Sequence, residues 1–162
     1  MREIQLTQGY VALVDDGDFV RVSAYKWHAH VERQNVYACR NIQRPDGKRT
    51  IQKLHNLIMD ATGIDHADGN GLNCQRYNLR QATPLQNNHN TRAHSDNASG
   101  FKGVVKHPPN RWRARICIEG KSIHLGTFLD IQDAANAYDA AALQYFGDFA
   151  LTNKTLKQRK TS

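Results

Sequence analysis

Long apolar runs are missing from these 162 residues, and with them any stretch of the roughly 20 apolar residues that a bilayer-crossing helix needs. The opening decapeptide MREIQLTQGY has no apolar core of the secretion-signal kind, so the chain reads as soluble and intracellular, with no membrane partner. Cysteine is scarce. Cys39, Cys74 and Cys117 are odd in number, far apart and form no CxxC pair, which predicts neither a disulfide framework nor a cysteine zinc site. Acidic residues are outnumbered, 15 Asp and Glu against 22 Lys and Arg, and the formal charge of +7 favours a polyanion such as nucleic acid. Neither an internal repeat nor an obligate protein partner is evident.

A chain of this length holds one ordinary domain or two small ones. Two are read here, because TRAHSDNASG at residues 91–100 lacks periodicity and is rich in small polar residues, the mark of a connector. The boundary is set near Ser95, giving a domain at 1–94, a linker at 95–98, a second domain at 99–153 and a basic tail at 154–162. Residues 1–50 read as strands and turns: a strand over 10–14, a turn at Asp15-Asp16-Gly17-Asp18, then extended chain again through Phe19, Val20 and Val22. Trp27 and Tyr37 are the expected anchors of this small sheet. Leu54, Leu57 and Ile58 have helical spacing and predict a short amphipathic helix over 51–59, with His55 in it. From 63 to 90 the chain turns polar, and Asp68-Gly69-Asn70-Gly71 is a strong turn signal between two short extended pieces.

Residues 101–106, 111–118 and 122–128 predict three strands joined by Pro108-Pro109-Asn110 and Glu119-Gly120-Lys121, an antiparallel meander. Asp130 offers an N-cap with Asp133 three residues on. Ala134, Ala135, Tyr138, Ala141, Ala142 and Tyr145 then follow at helical spacing, and Gly147 is placed to end the helix. The alanine face leaves little side-chain bulk, so the helix can lie close to the sheet. The fold class is α+β. Residues 97–162 hold ten basic and five acidic residues, net +5, against +2 for residues 1–96, so most of the excess charge lies in the second half.

Asp65-His66, the turn 68–71, Asn78-Leu79-Arg80 and Asn87 in Ala82-Thr83-Pro84-Leu85-Gln86-Asn87-Asn88 together resemble the HNH nuclease family, in its phage and intron branch. His55 in His-Asn-Leu-Ile begins the pattern, which spans about 54–90. The resemblance implies a ββα-metal motif that hydrolyses phosphodiester bonds of double-stranded DNA. That reaction needs a nucleophilic water, charge neutralisation and help for the departing oxygen, and an imidazole beside a divalent cation supplies all three. His66 is the expected base, facing the water. Asp65, on the alternate side of an extended backbone, is the expected metal ligand, with Asn87 from a following helix completing the protein's share. A carboxylate and an amide oxygen suit Mg²⁺, with Mn²⁺ as a substitute. By resemblance Asn78 fixes the loop that orients the base. His55 is assigned to packing, with a phosphate or substrate contact as its alternative, and His89 is a rival to Asn87. His28, His30, His107 and His124 receive no catalytic role. Where relatives show Asp-Asn-Arg, this chain reads Leu72-Asn73-Cys74-Gln75.

Gly100-Phe101-Lys102-Gly103-Val104, Arg111 through Ile116, Leu125-Gly126-Thr127-Phe128 and Ala134 through Ala142 are similar to an AP2 DNA-binding domain over about 99–153. That family's fold is a three-stranded antiparallel sheet with one packed helix, and its members lay the sheet in the major groove, which admits a β-ribbon. Lys102, Arg111, Trp112, Arg113, Arg115, Lys121 and His124 are the expected DNA contacts, with Trp112 open to a core role as well. Phe128 and Tyr138 are assigned to the core. Val105, Cys117 and Ser122 stand where plant relatives have arginines, so the resemblance transfers no target sequence.

The combined expectation is a homing-type HNH endonuclease, cytoplasmic in a phage-infected or bacterial host, targeted by its AP2-like domain. Two rivals are a DNA-binding regulator with an inactive HNH scaffold and an RNA-binding or structural phage protein.

Overall fold

The computed structural model describes residues 1–32, 35–89 and 97–160, the last two positions of each of the latter stretches by backbone alone. The chain divides into two units, Met1–Thr83 and Pro84–Ser162. The packing break therefore falls at Thr83/Pro84, and the expected boundary at Ser95 lies outside the described residues.

The first unit opens with strands β1 (Arg2–Gln5) and β2 (Val11–Val14), an antiparallel pair whose register sets Ile4 opposite Ala12. Helix α1 (Asp16–Ser23) follows, where the sequence predicted a turn and renewed strand. The same residues serve either role: Asp15 takes the extended N-cap conformation, and Asp16 and Asp18 put negative charge in the first turn, where the helix dipole favours it. Burial decides between them. Val22 is fully buried while Val20 is 79% exposed, a separation that strand alternation would forbid and a helix gives. Three antiparallel strands, β3 (His28–Glu32), β4 (Asn35–Gln43) and β5 (Arg49–Lys53), form a sheet in the order β3-β4-β5. Strand β5 takes the first residues of the expected 51–59 helix, so α2 is confined to Leu54–Met59. Its Leu54 and Ile58, four apart, are fully buried against Val14, Val22, Trp27 and Leu79. The Trp27 indole donates to the Val22 carbonyl at 2.8 Å, satisfying the one polar atom of this anchor. A last hairpin pairs β6 (Ile64–His66) with β7 (Leu79–Gln81).

The second unit begins with the short helix α3 (Pro84–His89), then the meander β8 (Val104–His107), β9 (Arg111–Ile118) and β10 (Lys121–Phe128), in the order β10-β9-β8. Helix α4 (Ile131–Phe146) packs on one face, with the Asp130 side chain accepting from the Gln132 backbone N–H as its cap. Ala134, Ala135, Ala141 and Ala142 are buried beneath it against Val104, Ala114 and Ile116. Phe128 and Tyr138 belong to this core. The expected basic tail is helical, α5 (Asn153–Lys160), and Asn153 ties it down by donating to the Asp139 carboxylate and the Lys102 carbonyl. Among the described residues no helix is long and apolar enough to cross a membrane.

Gly103 sits at φ +74°, and a Cβ added there would overlap the Tyr138 ring. Gly100, at φ +72°, has open space around it. Gly103→Ala should therefore lower stability by about 1–3 kcal/mol more than Gly100→Ala, which pays only the left-handed backbone strain. Urea melts of the two variants check this, and equal losses would contradict the close approach.

Candidate active site

Strand β6 ends on Asp65 and His66, whose side chains leave the backbone on opposite sides. Asp65 lies across from Arg80 in the β6–β7 register, and the guanidinium clasps its carboxylate, Nη2 and Nε donating to Oδ2 at 2.7 and 3.0 Å. Arg80 was given no role from sequence. Its signal was present in hairpin geometry, since an acid and a base directly opposite each other on a short ladder pair readily.

The loop after β6 is fixed by Asn78. Its amide donates to Asp68 Oδ1 at 2.9 Å and to the Asn73 carbonyl at 2.8 Å, while its own oxygen accepts the Asp68 backbone N–H at 2.9 Å. Every polar end of this buried side chain is thus spent on the loop. Asp68 and Asn70 each accept a backbone N–H two residues on, closing consecutive Asx turns. Gly71 is required where the loop meets β4: a Cβ there would lie 2.5 Å from the Val36 carbonyl oxygen and 2.6 Å from the Tyr37 ring. Beyond the loop, the Cys74 backbone N–H donates to the Leu13 carbonyl at 2.8 Å, which sets the thiol under the site.

His66 is buried, only 5% exposed. Its ring meets that of His55 edge-on, centroids 4.7 Å apart at 88°, with the Tyr37 ring 6.0 Å away. Its Nε2 lies 3.8 Å from the Cys74 sulfur. His55, His66 and Cys74 each bring one ligand-type atom to within 4.8 Å of the others, and all three are buried. Spacing along the chain concealed this group, because its members come from α2, β6 and the segment bonded to β2. The absence of CxxC therefore did not exclude a mixed donor set. Burial pushes the His66 imidazole down to about 4 and that of His55 to about 3, while it pushes the Cys74 thiol up to about 12. At neutral pH the rings are uncharged and the thiol keeps its proton.

Asn87 is exposed on α3 and belongs to the second unit, whereas Asp65, His66 and Asn78 belong to the first. The side chain of His89 lies outside the described residues. In the second unit, Arg111, Arg113 and Arg115 alternate along β9 with Trp112, Ala114 and Ile116. The latter three turn to the core, so Trp112 is half-buried on the helix side of the sheet. On the other side, cross-strand partners set Val105 beside Arg113, His107 beside Arg111 and His124 beside Arg115. Arg113 Nη2 lies 2.8 Å from His107 Nδ1. Lys121 opens β10 at the hairpin, and the Lys102 backbone N–H donates to Asn153 Oδ1 at 2.6 Å.

No family model matches the chain. It is similar to an uncharacterized HNH endonuclease of Acanthamoeba polyphaga mimivirus, 30% identical over 153 residues that cover 91% of this chain and 76% of the viral protein. It is also similar to an AP2/ERF and B3 domain-containing protein of Oryza sativa subsp. japonica, 48% identical over 61 residues, 38% of this chain. An ethylene-responsive transcription factor of Arabidopsis thaliana is 39% identical over 95 residues, 56% of this chain. The chain spans 17% and 58% of the lengths of those two plant proteins.

The depressed imidazoles make stability depend on pH. Between their ordinary value of 6.5 and about 4 for His66, or about 3 for His55, the unfolded chain binds protons that the folded chain refuses. Stability should therefore fall as pH is lowered through that window. Thermal melts in chelator-treated buffer from pH 7 to 4 should show a falling midpoint, with a shallower slope for His55→Gln. An equal slope in both proteins would contradict the burial of a neutral His55.

Proposed function

This chain belongs to the HNH endonuclease family, and on that premise we propose that it hydrolyses phosphodiester bonds in double-stranded DNA, with His66 as the base. One observation carries this reading: an uncharged imidazole stands next to a carboxylate at the end of a strand, over a loop that Asn78 holds with three hydrogen bonds. A general base must reach the reaction unprotonated, and burial delivers His66 in that form at neutral pH. Nε2 lies on the Cys74 side of the ring, and we assign the uptake of the proton to Nδ1. Arg80 holds Asp65 in one rotamer on the alternate face. Asn78 acts through the loop, as a positioning residue.

Asp65 offers a carboxylate oxygen of the kind a hard divalent ion takes, and by resemblance alone the amide of Asn87 is assigned as its companion ligand. Mg²⁺, or Mn²⁺ in its place, would supply neutralisation of phosphate charge and help for the leaving oxygen. The order along the chain, the β6–β7 hairpin followed by the helix Pro84–His89, supports reading the segment as a ββα-metal motif.

The second unit selects the target. Its helix-free sheet face carries Arg111, Arg113 and Arg115, with Lys102, Lys121 and His124 at its margins, a basic row on a ribbon of the width the major groove admits. Trp112, turned to the core, sets the sheet's position. A nuclease unit joined to a reading unit is the arrangement of a homing-type enzyme of phage or mobile-element kind. A regulator with an inert HNH scaffold is the second reading, favoured by one feature, the engagement of Asp65 by Arg80.

Plasmid nicking in Mg²⁺ separates the two readings. Wild type should cut, and His66→Ala should lose about 10²–10⁴-fold in rate, the usual worth of general base catalysis, while still binding DNA. Equal cutting by both proteins would remove His66 from the reaction, and no cutting by either would favour the regulator. Arg113→Ala should flatten the logarithmic salt dependence of DNA affinity by about 0.9, one phosphate contact. An unchanged slope in a filter-binding titration would take Arg113 off the DNA.

A further inference from the structure

We propose that His55, His66 and Cys74 form a binding site for a thiophilic metal ion of the zinc and cadmium class, distinct in chemistry from the magnesium site, and that filling it switches the nuclease off. The switching half rests on His66 being the base.

The donor set selects the ion. Two imidazole nitrogens and one sulfur, with no carboxylate among them, suit a borderline or soft cation and disfavour Mg²⁺, which demands oxygen. Distances agree with a tetrahedral centre. With Zn–S near 2.3 Å and Zn–N near 2.0–2.1 Å, a sulfur and a nitrogen on one zinc stand about 3.6 Å apart, and His66 Nε2 and the Cys74 sulfur stand at 3.8 Å. The widest separation in the group is no more than 4.8 Å, so about 1 Å of side-chain rotation closes it. The rings of His55 and His66 meet at 88° instead of stacking, which lets their nitrogens converge on one point.

A second observation is independent of those distances. His55 is 3% exposed, and its Nδ1 is a buried polar atom with no hydrogen-bond partner among the described residues. Such atoms are rare because burial strips their water without replacement. A metal ion at the centre of the group draws on this imidazole, whose packing role in α2 does not explain an unpaired nitrogen.

The balance of the step is simple. Cys74 S–H and M²⁺ give Cys74 S–M⁺ and a released proton, and the two imidazoles bind as neutral ligands with nothing else exchanged. The consequence for His66 follows from its own valence. A neutral imidazole carries one N–H, and once Nε2 is bound to metal that hydrogen must sit on Nδ1. Nδ1 is the nitrogen that takes the proton from water in the reaction above. The metallated ring therefore presents a donor where the chemistry needs an acceptor.

The test uses the full chain with excess Mg²⁺ and cadmium as the probe. Cadmium should bind one per chain with a thiolate-to-cadmium charge-transfer band in the ultraviolet. The band should persist in Cys39→Ala and Cys117→Ser and vanish in Cys74→Ala, and His55→Gln should weaken binding by at least about tenfold, the loss that even an outer-shell partner's removal brings. Cadmium-113 NMR of the unmodified protein should report one sulfur and two nitrogen ligands, which settles the site even if a substitution unfolds the chain. Plasmid nicking in Mg²⁺ should stop at one equivalent of cadmium and return with chelator. A missing band in wild type, or one that survives Cys74→Ala, overturns the site. Full nicking with cadmium bound overturns the switch. If wild type fails to nick in Mg²⁺ alone, the nuclease reading and the switch fall together, while the band still decides the site.

Discussion

Two imidazoles buried side by side rest uncharged at neutral pH, and the first unit is organised around that condition. Helix α2 brings His55 to the pair, β6 brings His66, and the Tyr37 ring lies edge-on to His55 at 5.8 Å. The loop closes over them because Gly71 tolerates the approach to Val36 and Tyr37 and because Asn78 spends all its hydrogen bonds on backbone and Asp68. A polar site has thus been built from the outside inwards: apolar packing fixes the helix and strand, hydrogen bonds fix the loop, and the rings take the space left between them.

The same burial has opposite effects on acid–base groups of different sign convention. It drives the imidazoles towards the neutral base and the Cys74 thiol towards the neutral acid, so both changes remove charge from one small volume. Asp65, one residue away, escapes that volume because strand alternation turns it to the other side, where Arg80 answers its charge. Adjacent residues therefore sit in environments of contrary character, one dry and uncharged, the other a close ion pair.

How legible this was in the sequence depended on whether the signal was local. The second unit could be read nearly strand by strand, because Arg-Trp-Arg-Ala-Arg-Ile alternates cleanly between two faces and Asp130 caps a helix whose buried face is alanine. The first unit was harder. Asp15 to Asp18 satisfies both a turn and a helix start, and only the contrast between Val20 and Val22 resolves it. Asp65, His66 and Asn78 were singled out through motif order, and Asn78 holds the loop that follows the other two. Cys74 was visible only as a departure from that order. Its neighbours in space, His55 and His66, lie on elements whose packing no spacing rule encodes, and the Asp65–Arg80 pair emerges only once the hairpin register is known.

The bond from the Cys74 N–H to Leu13 has a partner: the Leu13 N–H donates to the Leu72 carbonyl at 2.8 Å. Strand β2 is half of a two-stranded ribbon, and ribbons of that size present a raw flank to which any extended peptide can add. Here residues 72–74 occupy the flank at Leu13. The stretch that delivers a ligand to the interior also serves as a guard against strand addition, so weakening it exposes the protein to self-association as well as disturbing its chemistry.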